Sequence, residues 1–197
     1  MTNFFDNNQD ARDVCYGKYC FVGDYLYGRR VVGIYTDKMQ YGIEIKGEVV
    51  SPWFDALILM PSFNVCQKDG KSFLTSANGK ERISGEYKEI GRFERISVLE
   101  RYYAKVKGFD NKFGTLSSEG KIGVECSHEQ LIRFGKAFAV CGKKIDGVLR
   151  YGIRVVNGEQ LVDYSYTSYK VVAGKVCLTS EEGKTVAYNA LGWRVKV

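Results

Sequence analysis

Proline is almost missing, with two in 197 residues, so the turns of this chain rest on its 22 glycines. Histidine is used once, at His128. One imidazole excludes most schemes in which several histidines hold a hydrolytic metal. No Cys-x-x-Cys occurs among the six cysteines, and Cys15 and Cys20 stand five apart, so a structural zinc site has little to build on. No apolar run approaches the length of a membrane span. The opening "MTNFFDNNQDARD" lacks the basic and apolar regions of a signal peptide, and there is no Asn-x-Ser/Thr sequon. These absences lead us to expect a cytoplasmic protein with free thiols and no membrane partner.

What is present is aromatic and evenly charged. Phe, Trp and Tyr make up 14%, with 14 tyrosines and 11 phenylalanines, and glycine punctuates them. That pattern points to strands and tight turns. The net charge of +6 is spread out, as in "EYKEIGRFERISVLERYYAKVK". It describes a solvated mixed-charge surface better than a concentrated nucleic-acid patch.

The strongest signal is repetition. The stretch "FAVCGKKIDGVLRYGI" from Phe138 to Ile153 has sisters along the chain. A basic residue stands eight places before a turn glycine at Lys71 and Gly79, Lys112 and Gly120, Arg150 and Gly158, and Lys175 and Gly183. Gln40 and Gly47 form a fifth pair, one residue shorter. The turn glycines are spaced by 32, 41, 38 and 25 residues, within the range of repeat proteins. Phe63 with Val65, Tyr103 with Val106, Phe138 with Val140 and Tyr169 with Val171 precede the basic residues. "SPWFDAL", "GEYKEIGRF", "SHEQLIRF" and "LVDYSY" follow the glycines as crossings. Each unit reads strand, turn, strand, Gly hairpin, strand, crossing. No unit could bury its own aromatic face, and stacked neighbours could.

The fold expected is therefore all-β: about five short antiparallel β-hairpin units in a curved array or a propeller-like ring. A cap or lead-in over residues 1–29, with a short helix over "NQDARDVCYGKY", precedes a β-repeat domain over 30–197. The spacing of Ile90, Phe93, Leu99 and Tyr102 admits one short helix, and "SHEQLIRFGKAF" a second.

These markers resemble the WG repeat, a bacterial β-rich repeat. The aromatic-Gly pair stands as Tyr41-Gly42, Phe113-Gly114 and Tyr151-Gly152. The second unit has Ser72-Phe73 there, the fifth has Val176-Cys177, and Gly192-Trp193 is reversed. The chain looks like a degenerate member over about residues 30 to 197. The resemblance implies a scaffold or recognition element with no catalytic residues and no cofactor.

The chemistry candidates fit that expectation. Cys66 and Cys141 share one phase of two repeats, so they read as packing positions. Cys126 and Cys177 lie in or beside strand patterns. His128 reads as a surface or hinge residue of a crossing. Gly70-Lys71-Ser72 and Gly183-Lys184-Thr185 lack the earlier glycine of a phosphate loop and precede strands. Asp69, Asp110, Asp146 and Glu181-Glu182 read as turn residues.

For binding, exposed aromatic and basic residues are expected at Tyr27, Arg29, Arg30 and Trp53, beside Tyr25. Lys143, Lys144 and Asp146 form an inserted turn that lengthens one repeat, and it is the first place to seek a partner. The expected function is non-enzymatic binding of a protein or peptide. A small β-barrel enzyme or ligand-binding protein is the alternative, and a basic nucleic-acid adaptor the third.

Overall fold

Alternating apolar residues and closely spaced turn signals leave most segments long enough for a strand and too short for a helix. The computed structural model describes residues 19–135 and 137–197, and among them strands dominate without an α-helix. The lead-in helix and Cys15 lie outside the described residues.

The chain divides into two compact units, Met1–Ile90 and Gly91–Val197. In the first, β1 (Phe21–Val22), β2 (Arg30–Tyr35), β3 (Met39–Ile45) and β4 (Glu48–Val49) form one sheet. The next comprises β5 (Ala56–Leu59), β6 (Phe63–Lys68) and β7 (Lys71–Ser76), and β8 (Glu89–Ile90) ends the unit. In the second unit, β9 (Glu94–Ile96), β10 (Arg101–Lys107) and β11 (Phe113–Ser117) pair in sequence. The fourth sheet is β12 (Gln130–Phe134), β13 (Phe138–Ile145), β14 (Val148–Val155) and β15 (Gln160–Tyr166). The fifth is β16 (Ser168–Val172), β17 (Lys175–Thr179), β18 (Thr185–Tyr188) and β19 (Arg194–Val195). Apart from β8, the paired strands are antiparallel chain neighbours, and no sheet closes into a barrel among the described residues. Strand pairing reaches back to Phe21, which lies opposite Gly33.

The sequence repeat is a repeat of hydrogen-bond register. The residue after each marker at 40, 71, 112, 150 and 175 faces one aromatic ring residue of the crossing. The pairs are Tyr41–Phe54, Ser72–Tyr87, Phe113–His128, Tyr151–Tyr166 and Val176–Tyr188. Gly79, Gly120, Gly158 and Gly183 then close one turn type. Their N–H groups donate to the carbonyls of Ser76, Ser117, Val155 and Ser180 at 2.8–3.0 Å. All four have φ between 75° and 102°, where a side chain would be strained. The first repeat is a residue shorter because Lys46-Gly47 make a two-residue turn, with φ of 50° and 85°. The interval of 25 residues arises because the fifth sheet has no strand ahead of β16: Tyr166 ends β15 and Ser168 begins β16.

Inward-facing residues build the cores. Val140, Ile153, Val176 and Leu178 are buried together in the second unit, and Phe54, Cys66 and Phe73 in the first. Each such side chain contributes about 1.5–3 kcal/mol relative to exposure. Crossings are fastened by side chains: Ile43 N–H donates to Ser51 Oγ at 2.8 Å and Leu74 N–H to Ser84 Oγ at 2.9 Å.

Both helix expectations give way to strands. Residues 94–96 pair with 101–103 around a single 3-10 turn at Ser97–Leu99, so Ile96 and Tyr103 are buried. Residues 130–134 form β12, which buries Leu131 and Phe134 against β13. In both places a partner strand satisfies the backbone over too few residues for a helix to compete.

Candidate functional site

The segment Gly23–Arg29, "GDYLYGR", combines two glycines with three large apolar side chains. Leu26 N–H donates to the Arg29 carbonyl at 2.7 Å and Arg29 N–H returns the bond at 3.1 Å. Between them Tyr27 has φ 53° and Gly28 φ 77°. A turn of this kind needs positive φ at both central residues, which suits Asn, Asp or Gly and strains a tyrosine.

Arg29 holds the turn in place. Expected at the surface, it is 4% exposed. Its Nη1 donates to the Tyr27 carbonyl at 3.2 Å, and its Nη2 to the Met60 carbonyl at 2.5 Å and to Asn64 Oδ1 at 3.3 Å. Asn64 is itself buried, and its Nδ2 donates to the Ser76 carbonyl at 2.6 Å. Arg29 is thus a positioning residue, tied to the second sheet. The outcome is a rigid turn that presents Tyr25, Leu26 and Tyr27 at 54%, 49% and 56% exposure.

The other sequence candidates of this unit play packing roles. Arg30 lies opposite Glu44, and its Nε and Nη2 both reach Glu44 Oε1 at 2.8 Å. The Trp53 indole lies over Gly42, where a Cβ would meet the ring at 3.0 Å. Only Tyr27 of the four therefore stands at the surface as expected, with Tyr25 and Leu26 beside it.

In the second unit, Lys143, Lys144 and Asp146 are exposed at the tip of the β13–β14 hairpin. The inserted turn is a longer hairpin rather than a loop. Pairing runs on through Lys143–Arg150, Lys144–Leu149 and Ile145–Val148. Asp146-Gly147, with φ of 49° and 80°, then closes it with the same turn as Asp69-Gly70, with φ of 51° and 73°. Neighbouring strand residues face opposite sides, so Lys143 and Lys144 serve different faces.

His128 departs furthest from expectation. It is 3% exposed. Its Nδ1 lies 3.0 Å from the Glu125 carbonyl and its Nε2 2.6 Å from Tyr164 Oη. Arg154 Nε donates to the same Tyr164 Oη at 2.7 Å, while its Nη1 donates to the Gly158 carbonyl at 2.8 Å. With the imidazole neutral, one proton arrangement satisfies these bonds: Arg154 donates to Tyr164, Tyr164 O–H donates to Nε2, and Nδ1–H donates to Glu125. Burial, with Arg154 and Lys143 adding to it, pushes the imidazole below its ordinary value and keeps it neutral.

Both ring nitrogens are engaged, so the imidazole is not placed to take a proton from Cys126. That thiol is raised by burial and by Asp110. Cys66 and Cys141 are buried and their thiols are pushed up to about 12, as packing positions require. Among the described residues no group of three or more His, Cys, Asp or Glu side chains is arranged to hold a metal ion. Gly70-Lys71 and Gly183-Lys184 lie in turns that enter β7 and β18.

No family model matches the chain, and no curated protein matches it. Similar solved structures include the computationally designed Ika8 protein, 13% identical over 89% of this chain and 60% of that one, with a TM-score of 0.36. Hsv2 of Kluyveromyces lactis is 12% identical over 83% of this chain and 59% of that one, with a TM-score of 0.40. A eukaryotic initiation factor is 8% identical over 89% and 54%, also with a TM-score of 0.40. The chain spans 54–60% of the length of these three, and similarities of this size carry no information about its site.

Proposed function

We propose that this chain is a cytoplasmic β-repeat recognition module, kin to the WG repeats it resembles, that binds a protein or peptide without chemistry of its own. One observation carries the reading. The Tyr25-Leu26-Tyr27 turn holds three exposed apolar side chains in a strained backbone, and a buried arginine keeps it there. Tyrosines on rigid scaffolds give contact area at low entropic cost, and locally stored strain is a mark of functional segments. The second sheet, through Met60 and Asn64, supplies the rigidity.

The test is affinity capture with the full chain and with a Leu26→Ser, Tyr27→Ser variant, followed by identification of the captured proteins. Both side chains are solvent-facing, so the variant keeps its circular dichroism spectrum and its melting temperature within a few degrees. The expected result is loss of about nine-tenths or more of the captured partner, as for removal of interface anchors. Equal recovery of the same proteins by both forms would overturn the proposal.

A further inference from the structure

The second unit holds an open cleft of about 610 Å³ that involves neither the tyrosine turn nor the His128 network. Its walls come from β15, from the β17–β18 turn and from β19. The size falls within the range of ligand sites. Tyr166 and Val186 give it apolar surface, and Arg150, Lys184 and Arg194 give it three cations.

The charges are arranged asymmetrically. Arg150 Nη2 lies 3.0 Å from Glu181 Oε2, and Lys184 Nζ 2.7 Å from Glu182 Oε2. Both glutamates are about three-quarters exposed, so each pair is worth little and is easily exchanged. Arg194 makes no ion pair among the described residues. Ser180 lines the same cleft, and its Oγ is buried without a hydrogen-bond partner. A buried hydroxyl left unpaired costs free energy until something supplies the missing bond. The turn thus places its own two carboxylates on two cationic groups and leaves a guanidinium and a hydroxyl unmatched.

The geometry points to an acidic peptide in extended conformation as the occupant. One of its carboxylates meets Arg194, and another replaces Glu181 on Arg150. The Ser180 hydroxyl donates to a peptide carbonyl, and an apolar side chain lies on Tyr166 and Val186. A peptide is favoured over a compact anion because β19 is the outermost strand of its sheet. Among the described residues it pairs only with β18, through Ala187–Val195 and Tyr188–Arg194, and its outer edge carries no further strand there, which suits the addition of one. This site is separate from the tyrosine turn and shares with it only the reading that the chain binds peptides.

The probe is a fluorescein-labelled Glu-Glu-Leu-Glu-Glu amide, read by anisotropy on the full chain, beside its Gln-Gln-Leu-Gln-Gln counterpart. Expected are saturable binding of the glutamate peptide, weaker or absent binding of the glutamine peptide, and loss with added salt. Arg194→Gln weakens binding about tenfold, the scale of one charge-assisted hydrogen bond. Glu181→Gln, which frees Arg150, strengthens it severalfold, while Glu48→Gln, at a residue that does not line the cleft, leaves it unchanged. Backbone amide shifts induced by the peptide fall on β15, β18 and β19. Four results would each overturn the site: no saturation by millimolar peptide, equal binding of the glutamine peptide, indifference to both Arg194→Gln and Glu181→Gln, or amide shifts elsewhere. Tighter binding of inorganic phosphate or an oligonucleotide at the same residues overturns the peptide assignment. The Leu26→Ser, Tyr27→Ser variant binds this probe like the wild type, so failure of either reading is distinguishable from failure of the other.

Discussion

At the scale of single residues, two side chains carry opposite kinds of stress. His128 is held neutral by burial and by Arg154, so its folded value lies below the ordinary one. The unfolded chain takes up a proton near pH 6.5, and the folded form resists it. Stability therefore falls as pH drops below about 6.5, by up to roughly 1.4 kcal/mol per pH unit, until the folded form titrates as well. Because the chain has one histidine, His128→Phe is expected to flatten melting temperature between pH 6.5 and 5. An unchanged slope in that variant would assign the effect to carboxylates. Tyr27 stores its stress in the backbone, at φ 53°. Tyr27→Asn suits that conformation better and is expected to raise stability by about 0.5–1 kcal/mol in urea denaturation while reducing partner capture. Opposite movement of stability and binding is what a functional strain requires. Neither His128 nor Arg29, both expected at the surface and both buried, could be read correctly from its neighbours in the chain. Tyr164 lies 36 positions from His128, and Asn64 lies 35 from Arg29. Cys66 and Cys141 were legible because recurrence at one phase of two repeats is a local signal.

At the scale of elements, strands and turns were largely legible, since alternation and glycine spacing determine both. Misreadings arose where a short segment satisfied two periods. Ile90, Phe93, Leu99 and Tyr102 match a helical face, yet two short paired strands and one 3-10 turn form there. The β13–β14 hairpin misled in another way, because four added residues look like a loop when spread over two strands. That geometry makes a prediction about deletions. A two-residue turn closes on a hydrogen-bonded pair, and such pairs alternate along a hairpin. Removing Lys144, Ile145, Val148 and Leu149 moves Asp146-Gly147 down by two pairs and keeps that phase. We expect a loss of only about 1 kcal/mol, mainly from the half-buried Leu149. Removing Ile145 and Val148 alone places the turn on the wrong type of pair. It is expected to destabilise the unit more despite being the smaller cut, which thermal melts of the two variants decide.

At the scale of the whole chain, five sheets follow one another in sequence order, each built from segments close together in the chain. What joins successive sheets was not legible, because it depends on close approach between backbones rather than on a pattern along one. In the second unit, a Cβ on Gly123 would stand 2.0 Å from the Val156 carbonyl oxygen, beside the Thr115 Oγ1 that donates to that same carbonyl at 2.6 Å. Gly147 has φ 80° but open space around it. Gly123→Ala is therefore expected to cost about 3 kcal/mol or more and Gly147→Ala only about 1 kcal/mol, measured by denaturant midpoint. The five pairings from Tyr41–Phe54 to Val176–Tyr188 have a consequence for ancestry. Copies of a duplicated segment drift in their side chains, yet a change of pairing register would turn every side chain of a strand to the wrong face. The backbone pairing is thus the slowest clock in this molecule. Distant kin are to be sought by the recurrence of this pairing, even where no aromatic-glycine pair stands, as at Ser72 and Val176.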